Sequence, residues 1–297
     1  MSSFNLPNYG FLKFSGPDAA KFLQGQVTCD LNQLSTSRSL RGAICNLKGR
    51  VVADFRLVAA GEDIILQTQQ SMVSVIKATL EKYAVFSKVT ISDCAEQVYA
   101  SGFLDLPPEG AAAPTEPGDV HPLENGLMLR VEGTRPRYEA WYFGATPDSQ
   151  QDPAGLAPAE WLREDILAGL YHVTPEASEQ HTPQALNYDL AGLVSFEKGC
   201  YTGQEIVARL HFRGTSKQRL FLAESPGPAT PQSVVIEADP GESAPKSYPV
   251  LATAEKDGGG CVSLAVLPVD LVESGTALKL ADDDNSRLQF LSLPYTD

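Results

Sequence analysis

The chain has 297 residues, 43% hydrophobic, 20% charged and 8% aromatic, a globular balance that excludes wholesale disorder, collagen and coiled coil. Its formal charge of −14 is unevenly spread, with 10 basic and 8 acidic side chains in residues 1–100 but 5 and 16 in residues 101–200. Repulsion from phosphate therefore argues against direct nucleic-acid binding, and the absence of any run of ~18 apolar residues argues against a membrane partner.

The elements alternate from the start. A strand is expected over 10–14 and a helix over 19–24, opened by Ser15-Gly16-Pro17-Asp18 with a candidate cap and an early proline. Residues 42–69 read as a strand meander (42–46, 51–58, 64–68) with turns at Lys48-Gly49 and Gly61-Glu62-Asp63. In 71–83, Met72, Val73, Ile76 and Leu80 share one helical face, and strands follow at 88–91 and 98–104. The proline-rich stretch 105–122 reads as an exposed loop. Strands at 126–132 and 137–143, a loose stretch at 146–158 and a helix at 159–170 come next. From 217 the pattern becomes short strands and turns (217–224, 234–237, 249–255, 261–267, 277–280, 288–291), read as a small antiparallel barrel. The fold class is α+β, divided at 216/217.

Searches for a phosphate loop, a dinucleotide fingerprint, a nucleophile elbow and a zinc helix motif find nothing. Five cysteines stand without a CxxC pair and four histidines without HxxxH spacing, so no metal site is expected. That cysteine usage, and an N-terminus (Met1-Ser2-Ser3-Phe4-Asn5) unlike a secretion signal, suggest a reducing, cytoplasmic setting. Two basic clusters run against the acidic trend, at 38–56 (Arg38, Arg41, Lys48, Arg50, Arg56) and at 198–219 (Lys198, Arg209, Arg213, Lys217, Arg219). If they converge they form a local anion site.

One segment stands apart: Lys198-Gly199-Cys200-Tyr201-Thr202-Gly203-Gln204-Glu205, followed by Ile206-Val207-Ala208-Arg209. Thr202 and Glu205 are spaced as a capping box, which would put Cys200 about two residues before a helix N-terminus, where partial positive charge favours a thiolate. Lys198, Arg209, His211 and Arg213 would add to that effect wherever they face the sulfur. The competing reading is a cysteine packed in a tight turn.

This segment closely resembles the signature of the YgfZ family, folate-binding proteins similar to the aminomethyltransferase (T-protein) of the glycine cleavage system. Further resemblances lie at Phe22–Thr28, Leu80–Val89, Pro183–Asn187, Val194–Phe196, Phe212–Gly214 and Leu293–Tyr295, so that the likeness covers roughly 10–296. It implies three small domains around a central opening that takes tetrahydrofolate or a derivative. It also implies support of iron–sulfur enzymes, notably those that thiomethylate tRNA, through transient contact with them or with assembly proteins. Cys200 occupies the position of the family's functional cysteine. The signature residues Lys198, Gly199, Tyr201, Thr202, Gly203, Gln204 and Glu205, with Arg213, are the accompanying binding candidates. The family's two pocket aromatics fall at Tyr9, where a tyrosine replaces tryptophan, and at Trp161; the chain also departs from relatives at 169–172. Arg38, Arg41, Arg209 or Arg213 is expected to face the anionic folate tail. Whether the protein turns over a substrate is left open: a folate-dependent maintenance factor leads, with a tetrahydrofolate-dependent aminomethyl- or methyltransferase and a scaffold with a vestigial pocket as the other readings.

Overall fold

The computed structural model describes residues 3–107, 112–144, 157–239, 246–283 and 285–296. Three antiparallel sheets make up the molecule. The first contains β2 (Tyr9–Ser15), β3 (Leu40–Cys45), β4 (Val51–Ala60), β5 (Asp63–Gln69) and β6 (Thr90–Asp93), in the order β3-β4-β5-β2-β6. The second contains β1 (Ser3–Asn5), β7 (Val98–Leu104), β8 (Val120–Leu123), β9 (Gly126–Val131) and β10 (Arg137–Phe143), in the order β1-β7-β10-β9-β8. The third has six strands: β11 (Gln218–Ser225), β12 (Val234–Glu237), β13 (Ser247–Glu255), β14 (Cys261–Pro268), β15 (Leu278–Leu280) and β16 (Gln289–Leu291). Their order is β15-β12-β13-β14-β11-β16.

Among the described residues five α-helices complete the fold: α1 (Ala19–Gln24), α2 (Val73–Ala84), α3 (Ala157–Leu167), α4 (Gln204–Arg213) and α5 (Val269–Glu273). The apolar face expected for α2 is buried at Val73, Ile76 and Leu80. Asp18 precedes α1 but does not cap it. Its carboxylate instead accepts from Lys88 N (2.7 Å), which fixes the entry to β6.

The largest apolar cluster joins the first sheet to Leu220 and Leu222 of β11 and Val262 and Leu264 of β14. A second packs Phe4, Phe11, Val58, Ile65 and Trp141 between the first two sheets and reaches Trp161 of α3. The stretch 105–122 is more than a loop. Residues 108–111 lie outside the described residues, but Val120–Leu123 forms β8, and Ser39 donates to Gly118 O through its N–H (2.8 Å) and hydroxyl (2.9 Å). Of the loose stretch 146–158, residues 145–156 lie outside the described residues and α3 begins at Ala157.

Between α3 and α4 the chain runs irregularly for more than thirty residues, and its polar groups are satisfied by distant elements. Glu179 N donates to Val51 O (2.7 Å), Val51 N to His181 O (2.8 Å), and Ser195 N to Thr28 O (2.9 Å). A connection of that length inside a packed molecule is usually functional.

Candidate functional site at the meeting of the three sheets

Strand periodicity places charged side chains on inward faces. Asp54 and Arg56 lie two apart on β4 and so share a face. Arg41 of β3 sits opposite Arg56 in the register. Arg137 and Glu139 are likewise two apart on β10, while Trp161 and Asp165 are four apart on α3. Tyr9 opens β2 beside Gln69 of β5.

These faces meet in one polar network. Trp161 Nε1 donates to the Tyr9 hydroxyl (3.3 Å), which donates to Glu139 Oε1 (2.8 Å), while Trp141 Nε1 donates to Glu139 Oε2 (2.8 Å). Arg137 donates to Asp165 Oδ1 (2.8 Å), and its guanidinium lies 4.4 Å from the Trp161 ring centroid. His172 Nδ1 is 2.8 Å from Asp54 Oδ2, and Val173 N donates to Asp54 Oδ1 (2.7 Å). Arg56 bonds Glu132 and Ser39, with Arg41 NH1 3.9 Å from Glu132 Oε1.

The electrostatics follow from burial and pairing. Burial raises the Glu139 carboxyl above its ordinary range and outweighs the neighbouring arginines. Glu132 is also penalised by burial, but the charges of Arg56 and Arg41 overcome that and hold it at about 2. His172 is penalised by burial as a cation, yet Asp54 and Asp165 raise its pKa.

Three cavities follow this network. One of about 310 Å³ is lined by Tyr9, Trp161, Asp165, Leu170 and His172, and closed by Ala252 of the third sheet. A small space of about 20 Å³ is lined by Tyr9, Asp165, His172, Arg41, Arg56 and Glu132. A further cavity of about 630 Å³ is lined by Arg38, Arg41, Arg56, Ser195, Phe196 and His211, among others. Tyr9 and Trp161, 152 residues apart, are thus brought into direct contact. Trp161 lines the cleft, with Arg137 over its ring and Phe4 against it edge-on.

The signature segment is placed differently from the sequence expectation. Its helix, α4, begins at Gln204 with Gly203 as its N-cap in the left-handed conformation (φ 84°), so the Thr202/Glu205 capping box does not form. Thr202 instead donates to Gln26 Oε1 (3.1 Å). The reason is steric: a Cβ at Gly203 would lie 2.4 Å from Asn46 O in the β3–β4 turn. Lys198 does not serve the thiol either. Its buried ammonium gives its three protons to Gln24 O (2.8 Å), Val27 O (2.7 Å) and Cys29 O (2.7 Å), and burial pushes its pKa down to about 8.

Cys200 is exposed, whereas Cys29, Cys45, Cys94 and Cys261 are buried. Gly199 has open space around it, Tyr201 is buried, Gln204 is half-buried, and Glu205 and Arg213 are exposed. None of Cys200, Arg209 and Arg213 lines the three cavities, whereas Arg38 and Arg41 do. The β3–β4 turn lies against the start of α4, where a Cβ at Gly49 would stand 2.8 Å from Ile206 Cβ, while Arg38, Arg41 and Arg56 line a cavity that Arg209 and Arg213 do not. Thr28, Leu193, Lys198 and Thr202 tie the 22–28 element to the signature through hydrogen bonds, including Thr28 Oγ1 to Leu193 O (2.6 Å).

No protein-family model matches the chain. The tRNA-modifying protein YgfZ of Colwellia psychrerythraea is 34% identical over 305 residues, covering 98% of this chain and 92% of that protein. The chain belongs to the YgfZ family. The proteins of the same description from Cronobacter sakazakii and Escherichia coli O6:H1 are 33% and 31% identical across the whole of this chain. The crystal structure of glycine cleavage system aminomethyltransferase T from Bartonella henselae superposes with a TM-score of 0.71 over 99% of this chain and 86% of that one. At 17% identity this shows a shared fold.

In this YgfZ-family chain the sequence reading missed Asp54, Glu132, Arg137, Glu139 and Asp165 as site residues; Arg56 entered it in the 38–56 basic cluster and His172 within 169–172. A signal was present for several of them. Asp54 and Arg56 interrupt the apolar run Val51-Val52-Ala53-Asp54-Phe55-Arg56-Leu57-Val58, and both are buried. Charges kept inside a buried strand need partners, and so mark a site or a network.

Proposed function

We propose that this protein is a folate-binding factor that supports assembly or repair of iron–sulfur proteins, including those that thiomethylate tRNA. The observation that carries the reading is the cleft where the three sheets meet, with Tyr9 and Trp161 joined at its wall beside Glu139, Asp165 and His172. Apolar walls with a few convergent polar groups suit a heterocyclic ligand. Tetrahydrofolate or a derivative fits that donor set, and Tyr9, Trp161, Asp165 and His172 would hold it. When bound it would supply one-carbon or redox-active pterin chemistry. The chain's own residues position it: Arg137 orders Trp161 and Asp165, and Asp54 orients His172.

In this reading Cys200 is the working thiol. It is exposed where the other four cysteines are buried, and it stands on a segment tied down by the hydrogen bonds of Lys198 and by the left-handed turn at Gly203. The signature residues Lys198, Gly199, Tyr201, Thr202, Gly203, Gln204 and Glu205, with Arg213, build and flank that platform. We read the three sheets as three small domains about a central opening, the third curling toward a barrel, with the division at 216/217. The relatives' description as tRNA-modifying proteins supports an effect on tRNA, exerted on the modifying enzyme within the cytoplasm rather than by direct binding of RNA by this acidic chain.

A second reading, a tetrahydrofolate-dependent one-carbon transferase, is favoured by the Asp54–His172–Asp165 group beside the cleft, which is equipped to hold and move a proton. Complementation decides between them. In a bacterial strain lacking its own family member, wild type is expected to restore thiomethylated tRNA and a folded Cys200→Ser variant to fail. Equal restoration by both would remove the thiol from the mechanism. Turnover of a one-carbon donor by the purified protein would favour the transferase.

A further inference from the structure

We propose that the face made by the β3–β4 turn, the C-terminal end of α2 and the start of α4 docks a protein that presents an apolar side chain ringed by carboxylates, and that this protein is the client served by Cys200; the identity of the client rests on the reading above. The face stands out by its exposed apolar side chains. Phe86 is 99% exposed, Leu47 76% and Val85 73%, and with Tyr83 and Ile206 they are five of the nine large apolar side chains that stand exposed among the described residues. Val85 and Phe86 directly follow α2, which carries Tyr83 in its last turn. Leu47 and Tyr83 line one groove of about 520 Å³. The turn that carries Leu47 also sits against Ile206, as the close approach of Gly49 shows. Exposed apolar residues scattered singly need no explanation, whereas a cluster of them marks an interaction surface.

The rim decides the partner. Lys48, Arg50 and Lys82 line the same groove and are exposed, against one acid, Glu179. Among the described residues no carboxylate pairs with Lys48 or Lys82, whereas Lys77 on the same helix is taken by Glu81. Unpaired cations on a chain of net charge −14 are complemented by carboxylates from outside. The chain's own distant acids are screened beyond about 8 Å at physiological salt. Aliphatic side chains at the centre of the face fit a protein rather than RNA, whose phosphates find no donor in Leu47, Val85 or Ile206. The face also reaches the thiol. Gly203, where a Cβ would meet Asn46 O of the turn at 2.4 Å, is three residues from Cys200, a span of about 11 Å at most. A protein seated on Leu47 and Ile206 is therefore within reach of the exposed Cys200.

The test uses the intact protein and, as probe, an iron–sulfur enzyme that thiomethylates tRNA, purified with its cluster from the bacterium used for complementation. Wild type is expected to bind it with an affinity that falls as salt rises. Leu47→Asp and the double variant Lys48→Glu/Lys82→Glu should each lose about tenfold or more, and both should restore less thiomethylated tRNA than wild type. Thermal unfolding, tetrahydrofolate affinity and the alkylation rate of Cys200 should stay at wild-type values, which shows that fold, cleft and thiol are intact. Variants that bind and restore like wild type, or a wild type that restores tRNA without binding the enzyme, overturn the docking face and leave the proposed function standing. Binding of a tRNA transcript that is lost in the lysine variant and kept in Leu47→Asp also overturns it, in favour of an RNA contact. A wild type that fails to restore thiomethylated tRNA overturns both.

Discussion

Replacing Lys198 by Met keeps the apolar stem and removes the ammonium, which isolates the worth of three bonds. The ammonium reaches Gln24 O, Val27 O and Cys29 O at 2.7–2.8 Å and ties the chain after α1 to the signature. Hydrogen bonds from a charged donor contribute about 1.5–3 kcal/mol each. Burial of the charge opposes them and pushes the pKa down to about 8. Methionine leaves three carbonyls without their donor, so Lys198→Met should lose about 2–5 kcal/mol. Urea unfolding at pH 7 measures it: the midpoint should fall with the slope unchanged, and the amides of residues 24–30 should exchange faster with solvent. A loss below about 1 kcal/mol would refute the reasoning, because carbonyls left without their donor would then cost almost nothing.

Two further outcomes are expected. Gly203→Ala forces a Cβ into the left-handed region and toward Asn46 O, so it should destabilise by at least the 1–2 kcal/mol of that conformation and displace the β3–β4 turn, read by chemical shifts of residues 45–50. Glu132, held at about 2 against an ordinary 4.5, contributes stability that is complete above pH 4.5 and lost as the pH falls through 2. Its contribution is at most about 3 kcal/mol, so between pH 4.5 and 2 the unfolding free energy of Glu132→Gln should decline less steeply than that of wild type.

Local pattern carried most of the elements. The meander 42–69, the α2 face and the strands after 217 are period-2 and period-3.6 signals whose burial decides their form. β8 was hidden by Pro122 and the prolines before it; it turns into β9 through Glu124-Asn125, with Leu123 paired to Gly126 across the turn. The capping box failed for a reason no local pattern contains. The Asn46 carbonyl, more than 150 residues away, leaves room for glycine alone at 203, and glycine there turns left-handed before the helix begins.

The site was legible in its parts and illegible in its assembly. Asp54 and Arg56, Arg137 and Glu139, and Trp161 and Asp165 are each spaced to share a face of a strand or helix, so sequence alone could nominate three charged faces. A buried charged face is stable only against a partner of opposite charge or a ligand. Once Arg137 is seen to bond Asp165 and Arg56 to bond Glu132, the partners are largely accounted for. Arg41, the cross-strand neighbour of Arg56, is left over with a buried nitrogen unused. Two arginines opposite each other in a sheet repel, and Glu132, which faces both, together with Glu139 near Arg56 offsets that repulsion.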